Sequence, residues 1–505
     1  MVPAGVLQQG AEYTWKARSS DGTDYSAYSE VLTLVPVTEV GRDTETGDGS
    51  LDFQSQSTEV EPDTFSYGAT IVSAFQAGRY GGGGASNIGW ATSTDGGATW
   101  TGPDNVLPGT TKWVDPTSPW ERINDPSVAY DAFHDVWMIS ALPMPSGGPA
   151  YTVYVSRSTN GGTTWDTPVT TVKQEAGHTY DKDWIVCDNT ATSPNYGACY
   201  VVWADFVNGS GQFHVDRSTN GGTSWTELLF TNITIAGNGA QPIVQPDGRL
   251  VIVYKENATD PSTFPQLRWF DREALGGFQG PFTIDDCEWN HQAGGLRKIE
   301  CFTSAEMDSA GTIYLVWPDC RFRAMNYGQP CHDQSFDFMG PSDLVYTTLA
   351  EGASTWSDVA LIPAAPTLDS DVFLPGMAVD PDDVGHVGVA FYFYPRYECG
   401  DPDEPLCHLY AGFISTADAW TTYHRTTVLG AMSPTWLADN RHCQTCYDYM
   451  AGDYISSSVV NGLAYPIFPR ARMPLNGDFT CLADTDPSTN NCREDMVVPT
   501  AGLSL

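Results

Sequence analysis

An eight-residue stretch, Ser93-Thr94-Asp95-Gly96-Gly97-Ala98-Thr99-Trp100, recurs almost unchanged at Ser158 to Trp165 and again at Ser218 to Trp225. An Asp or Asn followed by two glycines supplies the positive φ angles of a tight turn, and the short polar side chain bonds back to nearby amides. Each copy follows an alternating run such as Tyr151-Thr152-Val153-Tyr154-Val155-Ser156, which reads as a strand with one buried face. A hairpin returning every 60 to 65 residues is an internal repeat, and it fixes the architecture before any site is considered.

From residue 51 onward the chain divides into units of similar grammar. Each opens on an acidic or polar residue near Pro and an apolar strand, continues through a second strand rich in Val, Trp, Tyr and Phe, a long variable loop and a third strand, and ends in the turn and a fourth strand. The openings are Glu61-Pro62-Asp63, Asn124-Asp125-Pro126-Ser127, Asp181-Lys182-Asp183-Trp184, Gln241-Pro242-Ile243, Cys301-Phe302-Thr303, Phe373-Leu374-Pro375 and Gly452-Asp453-Tyr454. The fourth unit has lost its glycine turn, and the fifth keeps a worn one at Glu351-Gly352-Ala353-Ser354-Thr355-Trp356. The expected fold is all-β, a propeller of six or seven blades with seven by repeat count. The last unit lacks a fourth strand, which Leu51 to Ser57 is expected to supply, closing the ring and removing open sheet edges. Residues 1–36 hold two alternating strands around a polar turn and look like a remnant of a fibronectin type III or Ig-like sandwich. Residues 37–50 read as a linker, and 51–505 as the propeller.

The octamer resembles the Asp-box (BNR repeat) of the sialidase-like, or neuraminidase superfamily, β-propellers, whose pattern is S-x-D-x-G-x-T-W. The resemblance implies a propeller, six-bladed in true sialidases. It says little about activity, because the box is a folding device shared by enzymes and binding proteins.

The 505 residues carry 62 acidic and 24 basic side chains, a net charge of −38. Such a surface is a poor partner for nucleic acid or anionic membrane, and no apolar run reaches the length of a transmembrane helix. The opening Val2-Pro3-Ala4-Gly5 has no signal-peptide character, so the chain is expected to be a piece of a longer secreted protein. Twelve cysteines fall into six close pairs in sequence order, from Cys187 with Cys199 and Cys287 with Cys301 to Cys481 with Cys492, which suggests local disulfides formed in an oxidising compartment. Cys443-Gln-Thr-Cys446 is read the same way in preference to a redox or metal pair.

In a blade, the start of the first strand and the end of the second ring one mouth of the central channel, while the glycine turns lie at the opposite face. That sorting gathers Glu61, Asp63, Asp125, Asp181, Asp183 and Asp453 at one mouth with Arg79, Arg321, Arg323, Arg396, Arg470 and Arg472. Guanidinium forks match a carboxylate or sulfate, so the mouth is expected to hold an anionic group. Each arginine has a plain alternative as a brace between blades. The sialidase resemblance implies an arginine triad, here Arg79, Arg321 and Arg396 with Arg470 nearby, a tyrosine nucleophile in Tyr454, and an acid in Asp63 or Asp125 with Glu61 beside them. The family's Arg-Ile-Pro is absent, Glu61-Pro62-Asp63 standing in its place, which argues against sialic acid itself as substrate. The same carboxylates would serve a two-carboxylate hydrolase of ordinary type. Asp183 is a further substrate-binding or acid candidate, with Lys182 tuning its neighbourhood. Asp484, Asp486, Ser488, Asn490 and Asp495 have the oxygen spacing of a structural calcium loop without its glycine. No cofactor is required by any of these readings.

The leading expectation is a secreted, monomeric glycoside hydrolase acting on an extracellular, anionic or other glycan at the channel mouth. Its rivals are a non-catalytic glycan- or protein-binding propeller and a propeller-type polysaccharide lyase.

Overall fold

The structure, a computed structural model, describes residues 13–15, 32–41, 54–256, 264–288, 296–297, 301–323, 341–395, 408–438, 449–474 and 492–505, apart from a few short gaps within those stretches. Among them the chain builds seven successive antiparallel sheet units. Their first strands are Gln54–Tyr67, Arg122–Asp131, Tyr180–Cys187, Asn238–Val244, Ser304–Met307, Asp371–Val379 and Ser456–Val460. Each packs against the next, and the seventh packs against the first, so the inner strands form a closed ring around a channel. The fold is a β-propeller.

Packing explains the closure. Val, Trp, Tyr and Phe populate both faces of the middle strands because both faces are covered by neighbouring sheets. Val136–Met144 and Ala85–Ser93 are buried along their whole length. The buried apolar side chains separate into seven clusters, one at each junction between neighbouring units. Trp203 and Met138 join the second and third units, Trp269 and Trp317 the fourth and fifth, and Phe75 with Tyr465 and Ile467 the first and seventh. Burying a side chain of that size stabilises the fold by about 1.5–3 kcal/mol.

The glycine turns follow their sequence logic. Ser93 Oγ accepts the Gly97 amide at 2.8 Å and donates to Asp95 Oδ1 at 2.8 Å, while Asp95 Oδ1 also accepts the Thr99 amide at 2.8 Å. The same three contacts recur around Asn160 and Asn220. Gly97 sits at φ 86° against Tyr465, whose ring lies 2.2 Å from where a β-carbon would stand, so this turn presses directly on the last unit. A fourth turn of this kind escaped the sequence reading. Thr416, Asp418 and Thr422 repeat the bonds in the sixth unit, with Ala419 and Trp420 at φ 51° and 70° where the others have two glycines.

Ring closure differs from expectation. Val37–Gly41, placed in the linker by its surroundings, is a strand that pairs antiparallel with Glu494–Pro499 and completes the last sheet. Val40 is fully buried there, an apolar residue whose neighbours' polarity hid its alternation. Residues 54–57, by contrast, belong to the first unit's inner strand. Tyr13–Trp15 pairs antiparallel with Leu32–Leu34, and the latter runs parallel to Thr427 and Val428 at the outer edge of the sixth sheet. Cys187–Cys199 and Cys287–Cys301 form disulfides as their spacing suggests.

Candidate functional site

The channel mouth is shaped by a repeated irregularity. Register shifts fall at the same place in five inner strands: between Val60 and Asp63, Asn124 and Ser127, Asp181 and Trp184, Asn238 and Gln241, and Phe373 and Gly376. Each bulge holds one left-handed residue: Glu61 at φ 55°, Asp125 at 48°, Lys182 at 52°, Gly239 at 65° and Leu374 at 53°. The left-handed region costs a residue with a β-carbon about 1–2 kcal/mol. A bulge re-aims the side chain it carries. In three consecutive units that side chain is ionisable, and Glu61, Asp125 and Lys182 converge.

Lys182 Nζ lies 2.6 Å from Asp453 Oδ2, 3.6 Å from Asp125 Oδ1 and 4.0 Å from Glu61 Oε1. It also stands 5.1 Å from the ring centres of Tyr454 and Phe302. Glu61 Oε1 accepts the Asp453 amide at 3.1 Å, and its Oε2 accepts a bond from Gln76. Asp125 Oδ2 accepts the Lys182 amide at 3.1 Å and Asn124 Nδ2 at 3.0 Å.

Environment separates these acids. Burial pushes Glu61 up to about 7 against the pull of Lys182, with the Asp453 and Asp125 charges adding to the rise. Burial likewise raises Asp125 to about 6, again opposed by Lys182. Asp453 is buried too, but the Lys182 ammonium and the Arg297 guanidinium outweigh that and hold its carboxyl below the ordinary value. Against its own burial, Lys182 is held above the usual lysine range by Asp453, Asp125 and Glu61.

The cluster opens into a cleft of about 410 Å³, counting its open mouth. Four carboxylates line it (Glu61, Asp125, Asp181, Asp453), together with Lys182, Arg79 and Arg297. Arg79 is buried beside Glu61, and burial lowers its pKa. Arg297 Nη1 meets Asp453 Oδ1 at 3.0 Å, and its backbone N–H bonds the Tyr449 carbonyl at 2.8 Å.

Of the residues sorted to the mouth by sequence, the cleft thus collects Glu61, Asp125, Asp181, Asp453 and Arg79. Asp63 lies beneath it: its oxygens accept from Ser456 Oγ at 2.9 Å, Ser127 Oγ at 2.9 Å and the Val128 amide at 2.7 Å, tying the seventh, first and second units together. Burial raises that carboxyl to about 6. Asp183 is fully buried, and burial lifts it well above the usual carboxylate range. Tyr454 is buried edge-on to Trp184 at 5.4 Å, and its hydroxyl is pushed up by burial and by the Asp125 and Glu61 charges. Arg321 stands outside the cleft and is spent on Asp319 at 2.9 Å and Asp285 at 3.0 Å. Arg470 also lies outside the cleft lining, half-buried beside Arg472, which itself bonds Asp495 and Glu39. Arg396 and the calcium-loop residues Asp484, Asp486, Ser488 and Asn490 fall outside the described residues, while Asp495 is buried in the last sheet. Sequence reasoning missed Arg297, Gln76 and Asn124. The signal for Arg297 was its position between Cys287 and Cys301, a loop closed by its own disulfide.

No protein-family model matches the chain, and no curated protein does. Among solved structures it is similar to the Hadza microbial sialidase Hz136, at 15% identity and a TM-score of 0.45 over 72% of this chain and 70% of that one. It is also similar to the phage phi92 endosialidase, at 12% identity and a TM-score of 0.48 over 97% and 72%. A third similar structure is a protein of unknown function from Dyadobacter fermentans, at 14% identity and a TM-score of 0.44 over 71% and 94%.

Proposed function

We propose that the chain is a glycan hydrolase whose chemistry sits at the channel mouth, with Glu61 and Asp125 as its acid–base pair. The observation that carries this reading is the bulge-borne cluster: two carboxyls raised by burial to about 7 and about 6, held around one buried ammonium in an open cleft. Glycoside hydrolysis needs one carboxyl that still owns a proton near neutral pH, to give to the leaving oxygen, and a second that is ionised and facing the sugar. Glu61 suits the first role. Asp125 suits the second: among the described residues its Oδ1 accepts no hydrogen bond, and the Lys182 ammonium stands 3.6 Å from it. Arg79 and Arg297 border the same space and suit a carboxylate- or sulfate-bearing glycan. Tyr454 acts as a buried face on which Lys182 rests. Secretion belongs to the same proposal, supported by the two disulfides.

One observation favours the rival reading of a glycan-binding propeller without turnover: both oxygens of Glu61 already accept protein donors. The two are separated by incubating the purified chain with a panel of aryl glycosides, including an aryl sialoside and aryl uronides, and with anionic polysaccharides. Released aryl alcohol supports the hydrolase. Glycan-array binding without release supports recognition alone, and an unsaturated sugar formed from the anionic polysaccharides, read by its ultraviolet absorption, signals a lyase.

A further inference from the structure

At the other end of the inner strands, away from the cleft, the turn into the second strand is built around one buried aspartate in each of four units. In three of them both carboxylate oxygens are used. Asp131 Oδ1 accepts the Phe133 and His134 amides at 3.0 and 3.1 Å, and Oδ2 meets His134 Nδ1 at 2.5 Å. Asp188 Oδ1 accepts the Thr190 amide and Oδ2 the Ser193 hydroxyl. Asp308 Oδ1 accepts the Ala310 and Thr312 amides at 3.0 Å and Oδ2 the Tyr314 hydroxyl at 3.2 Å.

The sixth unit breaks this pattern. Asp380, only 3% exposed, accepts the Asp382 amide on Oδ1 at 3.0 Å, but among the described residues no group donates to its Oδ2. In place of a donor, Asp383 and His386 converge: one ligand atom from each of Asp380, Asp383 and His386 lies within 4.8 Å of the others. The Asp380 amide donates to the His386 carbonyl at 3.0 Å, while the three side chains form no hydrogen bond or ion pair with one another.

We infer that Asp380, Asp383 and His386 form a divalent transition-metal site, of the Zn²⁺ class, at the turn of the sixth unit. One imidazole with two carboxylates is a donor set that suits Zn²⁺ and leaves a fourth position for water. Zn²⁺ holds its nitrogen and oxygen ligands at about 2.0–2.2 Å, so the three atoms need to draw together by roughly an ångström, which the exposed Asp383 side chain can supply. The site faces the next unit: a β-carbon at Gly462 would stand 3.8 Å from Asp380 Oδ2. The ion would therefore brace the sixth unit beside the hairpin of the seventh. It is independent of the chemistry assigned to the channel mouth.

The test is calorimetric titration of the chelator-stripped, intact chain with ZnCl₂, and with CaCl₂ in parallel, beside Asp383→Ala and His386→Ala. These two positions are surface-accessible, so both variants should fold, which circular dichroism verifies. His178→Ala controls for zinc held elsewhere. The expected result is one saturable Zn²⁺ site in the wild type and in His178→Ala, weakened at least tenfold in each of the two site variants, with a Zn²⁺-dependent rise in melting temperature lost in both. Wild-type affinity in both site variants, no saturable Zn²⁺ binding, or saturation by Ca²⁺ in preference to Zn²⁺ would each overturn it.

Discussion

Replacing Lys182 by methionine keeps most of the side chain's volume and removes the one cation shared by three buried acids. At an effective dielectric near 20, contacts of 2.6, 3.6 and 4.0 Å are each worth about 4–6 kcal/mol of gross attraction, most of it offset by the desolvation of the ions. Removing one partner from a buried charge cluster typically leaves a net loss of about 3–5 kcal/mol. The loss depends on pH with a definite sign. Without the ammonium, Glu61, Asp125 and Asp453 all bind protons more tightly in the folded state, so the variant regains stability in acid and loses it as pH rises through their folded pKa values. Urea denaturation followed by tryptophan fluorescence should show a deficit of about 3–5 kcal/mol at pH 8, shrinking to roughly half at pH 5. A deficit under about 1 kcal/mol at pH 8, or one larger at pH 5 than at pH 8, would refute the reading of Lys182 as the electrostatic centre of the mouth.

Wild-type stability should itself fall between pH 5 and pH 8. Burial raises Glu61 and Asp371 to about 7 and Asp125 and Asp63 to about 6, so the folded state holds protons that the unfolded chain has released. Glu61 alone contributes on the order of 3 kcal/mol to that slope, and a melting temperature that rises over this range would contradict it. Gly97→Ala should lower the melting temperature sharply, because its β-carbon would enter the Tyr465 ring at a positive φ; a neutral result would mean the first turn does not press on the last unit. Ala419→Gly should stabilise by about 1 kcal/mol by relieving a left-handed alanine, read as a shift in urea midpoint. Arg297→Ala should raise KM for anionic glycans more than for neutral ones, a split that disappears at high salt.

The repeat is legible because Asp- or Asn-Gly-Gly turns and alternating strands are local signals, and they mark out seven units along the chain. The sixth unit's turn stayed hidden because its glycines are replaced by Ala419 and Trp420, held in the left-handed region by packing that the sequence does not display. The closing strand was misplaced for a similar reason. Val37–Gly41 is short, and its partner Glu494–Pro499 lies more than 450 residues away. At the site, sorting residues by strand end picked out Glu61, Asp125 and Arg79, yet could not separate them from Arg321, which faces Asp319 and Asp285 outside the cleft. The same three-residue grammar, Glu61-Pro62-Asp63 and its relatives, concealed a division of labour. The left-handed member aims into the cleft, while Asp63, two residues on, braces the ring. Side-chain direction across a bulge is set by register with the neighbouring strand, and a single sequence does not carry that register.

The most direct test of the central claim is turnover by Glu61→Gln and Asp125→Asn beside the wild type, on whichever aryl glycoside the panel shows to be cleaved, with folding verified by circular dichroism. The acid–base assignment predicts that each variant loses about 10²-fold or more in kcat. It also predicts that Glu61→Gln removes the fall in rate above pH 7, because the proton it donates is gone. Wild-type turnover in both variants, or an unchanged alkaline limb in Glu61→Gln, would mean that the chemistry does not run through this pair.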